Sequence, residues 1–165
     1  MNDAAALERV GGIEITALTD KATGATFYTD DLTPEQLEAN KRVVSIAADT
    51  ALAAAANAHQ LFTAAFVEGE LAGYMIATVH APDDRELDWL MVDPAFHGRG
   101  IGDALMRAGM NWLGTGRPMW LNVIRHNERA IRFYRKHGFE VDHDAEIERI
   151  VPHFIMRRAA TSEAA

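Results

Sequence analysis

Between His97 and Asp103 the chain reads His-Gly-Arg-Gly-Ile-Gly-Asp, with glycines at 98, 100 and 102 directly ahead of a helical apolar pattern. Alternate glycines clear side-chain bulk from the backbone N–H groups, and a helix starting there leaves its first amides without intrahelical partners. Such a turn suits a phosphate or pyrophosphate. The helix dipole contributes only about 0.3 to 1 kcal/mol per favourable charge, so several amides and nearby cations must act together. Cations are close by. Residues 97 to 136 carry eight Arg or Lys against Asp103 and Glu128, a local charge of +6 in a chain of −8 overall, which leaves −14 for the remainder. An ordinary tight turn would use the same glycines, so the turn alone leaves both readings open. Its spacing argues against two common phosphate loops: no Gly-Lys-Ser/Thr follows, and the glycines lie closer together than in Gly-x-Gly-x-x-Gly.

The elements around the turn can be read from periodicity. Glu86 to Val92 is expected as a strand ended by Asp93-Pro94, because proline disfavours helix in its predecessor and interrupts a ladder. After the turn, Ile101, Leu105, Ala108 and Trp112 recur at helical spacing until Gly114-Thr115-Gly116. Met119 to Ile124 reads as a strand and Asn127 to His137 as a helix with Gly138 as its left-handed cap. Phe139 to Val141 and Ile147 to Met156 are the closing strands. Upstream, Ile13 to Leu18 has the apolar content of a short first strand. Thr33-Pro34-Glu35-Gln36 is a capping-box helix start, and Leu37, Val44, Ala48, Ala51 and Ala55 carry that helix to about Ala56. Leu61 to Val67 and Leu71 to Val79 form a hairpin around Glu68-Gly69-Glu70, and Ala81-Pro82-Asp83-Asp84 makes the next turn. The order gives a three-layer α/β fold with a mixed sheet, one domain over residues 1–158 and a frayed tail over 159–165.

Composition narrows the function. With 165 residues, 48% apolar content, 12 Gly and 5 Pro, one compact core is expected. The lack of Cys removes disulfides, thiolate metal sites and thiol nucleophiles together. The net charge of −8 argues against general nucleic-acid binding. No basic-then-apolar leader and no apolar run near ~18 residues is seen, so neither a signal peptide nor a membrane span is expected and a cytoplasmic location is the default. His59, His80, His126, His143 and His153 show no metal-motif spacing, and no metal is expected. Oligomeric state is open, a homodimer included.

Two blocks then carry a family resemblance. Leu90-Met91-Val92-Asp93-Pro94-Ala95-Phe96-His97-Gly98-Arg99-Gly100-Ile101-Gly102 and the later Asn-Glu-Arg-Ala-Ile-Arg-Phe-Tyr-Arg-Lys-His-Gly-Phe of 127–139 resemble the GNAT superfamily of acyl-CoA N-acyltransferases. The resemblance covers roughly residues 60 to 157 and implies an α/β/α acyl-CoA N-acyltransferase fold with a mixed, mostly antiparallel sheet. It implies acetyl-CoA as cosubstrate and an amine-bearing small molecule or peptide as acceptor. The backbone of Leu90, Met91 and Val92 would hold the pantetheine arm like an added strand, with an amide near Met91 facing the developing oxyanion. Gly98, Arg99, Gly100, Ile101, Gly102 and Asp103 would surround the pyrophosphate, His97 would contact or orient the cofactor in its own way, and Asn127 would contact the cofactor near the acyl end. The family pattern Q/R-x-x-G-x-G/A has Gln or Arg where this chain has His97.

The resemblance also places Tyr134 beside the departing CoA sulfur. A tyrosine of pKa ~10 facing a thiol of ~8.5 makes full proton transfer to the thiolate uphill by about 2 kcal/mol, which favours hydrogen bonding or concerted transfer. Deprotonating a Lys-type amine at pH 7 costs about 4.6 kcal/mol and an α-amine about 1 kcal/mol, so the acceptor sets how much base help is needed. Glu86 and Asp88 are read on one strand face with Leu90 and Val92, where either could accept that proton, Glu86 being preferred. Asn122 stands where ribosomal-protein N-terminal acetylases carry Glu, which argues against copying their base. Trp89, Trp120, Phe62 and Phe66 are read first as core. A catalytically silent acyl-CoA-binding module and transfer to oxygen are the alternatives.

Overall fold

The computed structural model describes residues 4–26, 32–145 and 150–161. Among these residues four α-helices and six strands are formed: α1 (Ala4–Thr26), α2 (Pro34–Ala56), β1 (Gln60–Val67), β2 (Glu70–Ala81), β3 (Asp84–Val92), α3 (Ile101–Leu113), β4 (Met119–Ile124), α4 (Glu128–Lys136), β5 (Glu140–Asp142) and β6 (His153–Arg158). The sheet order is β1-β2-β3-β4-β6-β5. Only β3 and β4 run parallel; every other neighbouring pair is antiparallel.

Two cores make the three layers. On one face Met75, Leu87, Leu105, Met106, Leu121, Ile131 and Phe139 pack together beneath α3 and α4. On the other, Ile15, Leu18, Ala47, Ala51, Phe62, Tyr74 and Ile76 pack beneath α1 and α2. Gly109 of α3 makes the first contact close: a Cβ there would lie 2.7 Å from Leu87 Cδ2 and 2.9 Å from Met75 Sδ. The β1–β2 hairpin turns through Glu68 and Gly69, both at positive φ, and Pro82-Asp83 joins β2 to β3.

Residues 13–18 are helical rather than a strand. Their local alternation of apolar and polar residues mimics a strand, but Ile15, Leu18, Thr19, Ala22 and Thr23 are all buried along one helical stripe. Gly11 (φ 62°, ψ 160°) kinks the helix just before this stretch. The hydroxyls of Thr16, Thr19 and Thr23 donate to carbonyls one turn back, and Thr19 also hydrogen-bonds the Tyr74 hydroxyl at 2.6 Å.

The capping box of α2 forms as read, with Gln36 N donating to Thr33 Oγ1 and Thr33 N donating to Gln36 Oε1. The buried face differs: it carries Asn40, Ala47, Ala51 and Ala54, while Leu37 is exposed. In α3 the buried face is Leu105, Met106, Gly109, Met110 and Leu113, leaving Ala108 outside. The last strand starts later than expected, at His153, and runs on to Arg158; residues 147–149 of the expected strand lie outside the described residues. Thr161, read as tail, docks on Thr115 O through its amide (2.8 Å) and its hydroxyl (3.1 Å).

Candidate active site

The cleft originates in an interrupted parallel pair. β3 and β4 pair only at Glu86↔Trp120 and Leu87↔Leu121. Beyond that point β3 continues to pair with β2, through Trp89↔Ile76 to Val92↔Gly73, so its other backbone edge over 89–92 has no strand partner among the described residues. A cleft of about 990 Å³ opens there, running from α2 and Glu86 along β3 to the glycine turn and α4.

At one end, Asp93 accepts from Ala95 N and starts the short 3-10 turn Pro94–Phe96; Lys21 of α1 reaches its carboxylate at 3.6 Å. Gly98 (φ 80°) and Gly100 (φ 76°) then turn the chain through the left-handed region, with nothing within 4 Å of where a Cβ would stand. Gly102 serves a different purpose, since its Cβ position lies 3.4 Å from Phe133 of α4. Among the described residues the amides of 98–103 find no acceptor, and Ala104 N to Gly100 O is the first closing bond of α3. These orphan donors border the cleft beside the free edge of β3.

The side chains there behave differently from the backbone. Asp103 is turned toward α4, bonded to His137 Nε2 at 2.8 Å and near Lys136 Nζ at 3.4 Å, contacts that hold its carboxyl below the usual range. Arg99 lies 5.5 Å from the Phe96 ring centroid. His97 Nδ1 accepts from Arg129 Nη1 at 2.8 Å; burial, then the Arg129 charge, lowers its pKa. The position where the family pattern carries Gln or Arg thus anchors Arg129, which lines the same cleft. Arg129 carries no site signal in the sequence, because its place depends on α4 packing against the turn.

Asn127 caps α4 by accepting from Ala130 N at 3.1 Å. Two turns on, Tyr134 lines the cleft edge-on to Phe133 and Phe139, and its hydroxyl has no hydrogen-bond partner among the described residues. Desolvation pushes its pKa up to about 12.

The other end is built from side chains. Glu86 is only 7% exposed and hydrogen-bonds His80 Nε2 at 2.9 Å. Burial, then the neighbouring Asp88 charge, raises its pKa, and His80 partly offsets them. Asp88 Oδ2 accepts from the Thr78 hydroxyl at 3.2 Å, and Thr78 Oγ1 accepts from Gln60 Nε2 at 3.0 Å. The two acids do not share the face of Leu90 and Val92. Register shifts so that Ala77 faces Leu87 while Ile76 faces Trp89, leaving Asp88 as a bulged residue. Leu87, Leu90 and Val92 therefore join the α3 core, and Glu86 falls on the side of Trp89 and Met91. Strict alternation cannot foresee that flip.

Trp89 and Trp120 line the cleft, whereas Phe62 is wholly buried and Phe66 is packed in the core. Asn40 Nδ2 and Asn122 Oδ1, both from cleft-lining residues, are buried with no hydrogen-bond partner among the described residues. Asn40 carries no signal in the sequence, and Asn122 carries one only as the position of the N-terminal acetylases' Glu. Among the described residues no group of three or more His, Asp or Glu gathers as a metal site would, and no helix is long and apolar enough to cross a membrane.

The six-stranded mixed sheet, with its parallel β3–β4 pair opening beside the amide-lined turn, matches the GNAT acyl-CoA N-acyltransferase fold. In keeping with this, residues 25–139 match the acetyltransferase (GNAT) family, and the chain belongs to that family. It is similar to a mycothiol acetyltransferase of Acidimicrobium ferrooxidans, 36% identical over 89 residues, which are 50% of this chain and 29% of that protein. It is also similar to an uncharacterised N-acetyltransferase of Mycobacterium tuberculosis, 37% identical over 79 residues, or 46% of this chain and 49% of that protein. The chain spans about a quarter to a half of the length of the curated relatives it matches. Among solved structures it resembles the PaiA N-acetyltransferase of Thermoplasma acidophilum in complex with coenzyme A: TM-score 0.69, 25% identity, covering 94% of this chain and 93% of that one.

Proposed function

We propose that this chain transfers an acetyl group from acetyl-CoA to a primary amine by direct attack within a ternary complex. The observation that carries the reading is continuity: the unpartnered amides of 98–103, the free edge of Leu90, Met91 and Val92, Tyr134 and Glu86 all border one cleft. The residues fit acetyl-CoA, which supplies an activated thioester. Gly98 and Gly100 keep the amide row open to its pyrophosphate, Arg129 on His97 adds a cation, and the β3 edge supplies a ladder for an extended amide-bearing arm. Asp103 contributes through its amide alone. Asn127 holds the start of α4, and through it the position of Tyr134.

Glu86 is the base. It takes one proton from the acceptor ammonium, freeing the nitrogen lone pair to form the C–N bond. The C–S bond breaks with its electron pair leaving on sulfur, and the second N–H proton released as the amide forms balances the proton the thiolate takes up. With a pKa of about 12, Tyr134 stays protonated across the neutral range. Handing its proton fully to a thiol-like group of ~8.5 is uphill by about 5 kcal/mol, so it acts by donating a hydrogen bond to the departing sulfur. The acidic character of this end suits a cationic acceptor.

The test is free CoA release from acetyl-CoA across polyamines, amino acids, aminoglycosides and peptide N-termini. Release that depends on an amine supports the reading. Tight acetyl-CoA binding with no acceptor-dependent release makes the chain a binding module, and release with hydroxyl acceptors alone makes it an O-acyltransferase.

A further inference from the structure

A buried carboxylate is a poor base unless something holds it ionised. Around Glu86 two strand irregularities meet. Asp88 is the bulged residue of β3, and on β2 the register passes from Val79↔Arg85 to Ala81↔Asp84, leaving His80 unpaired. Bulges re-aim side chains. Here His80 reaches across to Glu86 Oε1, while its ring stacks on Trp120 (centroids 6.1 Å apart, planes at 22°). Trp120 is fixed in turn by its indole N–H donating to Asp84 Oδ1 at 2.7 Å. The inner partner is the buried one; the His80 side chain is 41% exposed and the Glu86 side chain 9%.

We propose that His80 is a positioning residue for acetyl transfer, holding one oxygen of Glu86 and keeping the carboxylate ionised so that the other oxygen can take the acceptor's proton. The inference rests on the reading of Glu86 as base. The charges facing the pair come from Asp84 and Asp88 on β3, and both push protons onto it. Thr78 and Gln60 from β2 and β1 and Trp120 and Asn122 from β4 bring no charge. Arg157 of β6, in register with Trp120, commits its Nε to Asp142 at 2.7 Å. Among the described residues His80 is the cationic partner Glu86 has. Its own pKa is raised chiefly by the hydrogen bond to Glu86, so the imidazolium persists further toward neutral pH.

The sign follows. Removing His80 removes what lowers the Glu86 pKa, so the acid limb of the rate profile must move upward. With an amine found in the release screen, His80→Ala should lower kcat/KM by about 10-fold near pH 6 and by less than about 2-fold near pH 9, where Glu86 ionises unaided. His80→Gln, which keeps a hydrogen-bond donor without the charge, should show the same displaced limb. An equal loss at every pH in both variants, as a merely structural residue would give, overturns the proposal. Glu86→Gln separates the two layers: if it leaves kcat/KM intact, Glu86 is not the base and the proposal falls with that assignment. A readout independent of the acceptor is NMR titration of the His80 ring with acetyl-CoA absent. Its midpoint should fall in Glu86→Gln relative to wild type, and an unmoved midpoint contradicts the pairing.

Discussion

The two ends of the cleft are built from different materials. The glycine-turn end presents backbone amides, and its geometry is written within a few consecutive residues: Asp93 and Pro94 stop a strand, Gly98 and Gly100 reverse the chain, and α3 starts with its donors open. The Glu86 end presents side chains gathered from α2, β2, β3 and β4, and two bulges decide which of them meet. A site made of backbone amides would depend little on the side chains that border it, here His97 bonded to Arg129 and Asp103 turned toward His137. A side-chain site is remade whenever one of its elements shifts register.

The largest expected effect joins the two ends. Tyr134→Phe should lower kcat by about 100-fold while leaving the acetyl-CoA Kd within about 2-fold, measured by single-turnover kinetics and calorimetry. Undiminished single-turnover chemistry would remove Tyr134 from the reaction and leave the ends unconnected. Next comes the turn itself. Gly100→Ala forces a Cβ onto a left-handed φ of 76°, a strain of about 1 to 2 kcal/mol, and moves the amide row. Acetyl-CoA affinity should fall by about 10-fold, with little change in acceptor KM once the donor is saturating. An unaltered Kd would mean that the amides are not the phosphate site. The smallest effect belongs to the other end. Thr33→Ala removes the α2 cap, costing about 1 kcal/mol and lowering Tm by about 2 to 4 °C. Because α2 brings Asn40 and Val43 to the cleft, acceptor KM should rise while the acetyl-CoA Kd holds. A shift in that Kd would show the two ends to be one unit.

The same contrast explains what the amino-acid order made legible. The capping box, the Glu68-Gly69 hairpin, β4 and the Gly138 cap (φ 91°) are local devices and occur where their residues predict them. The glycine turn belongs with them, although only the fold separates the roles of its glycines, two for conformation and Gly102 for the approach of Phe133. Non-local features were not legible. Ile13 to Leu18 has the apolar content of a strand over six residues, and only the longer stripe to Thr23, buried against Tyr74 and Phe62, reveals a helix. Glu86 and Asp88 sit two apart, yet the bulge between Leu87 and Trp89 moves Glu86 to the opposite face from Leu90. His80 has no metal spacing and drew no attention, because its partner is chosen by a second bulge. Arg129 and Asn40 likewise acquire meaning only when helices dock.

The most direct measurement follows acetyl-labelled acetyl-CoA in the presence of an amine from the release screen. The label should appear on the amine nitrogen in step with free CoA, with none retained on the protein, and its appearance should collapse in Glu86→Gln. Label held covalently by the protein, or left on acetyl-CoA at every amine concentration despite tight binding, would contradict direct transfer across this cleft.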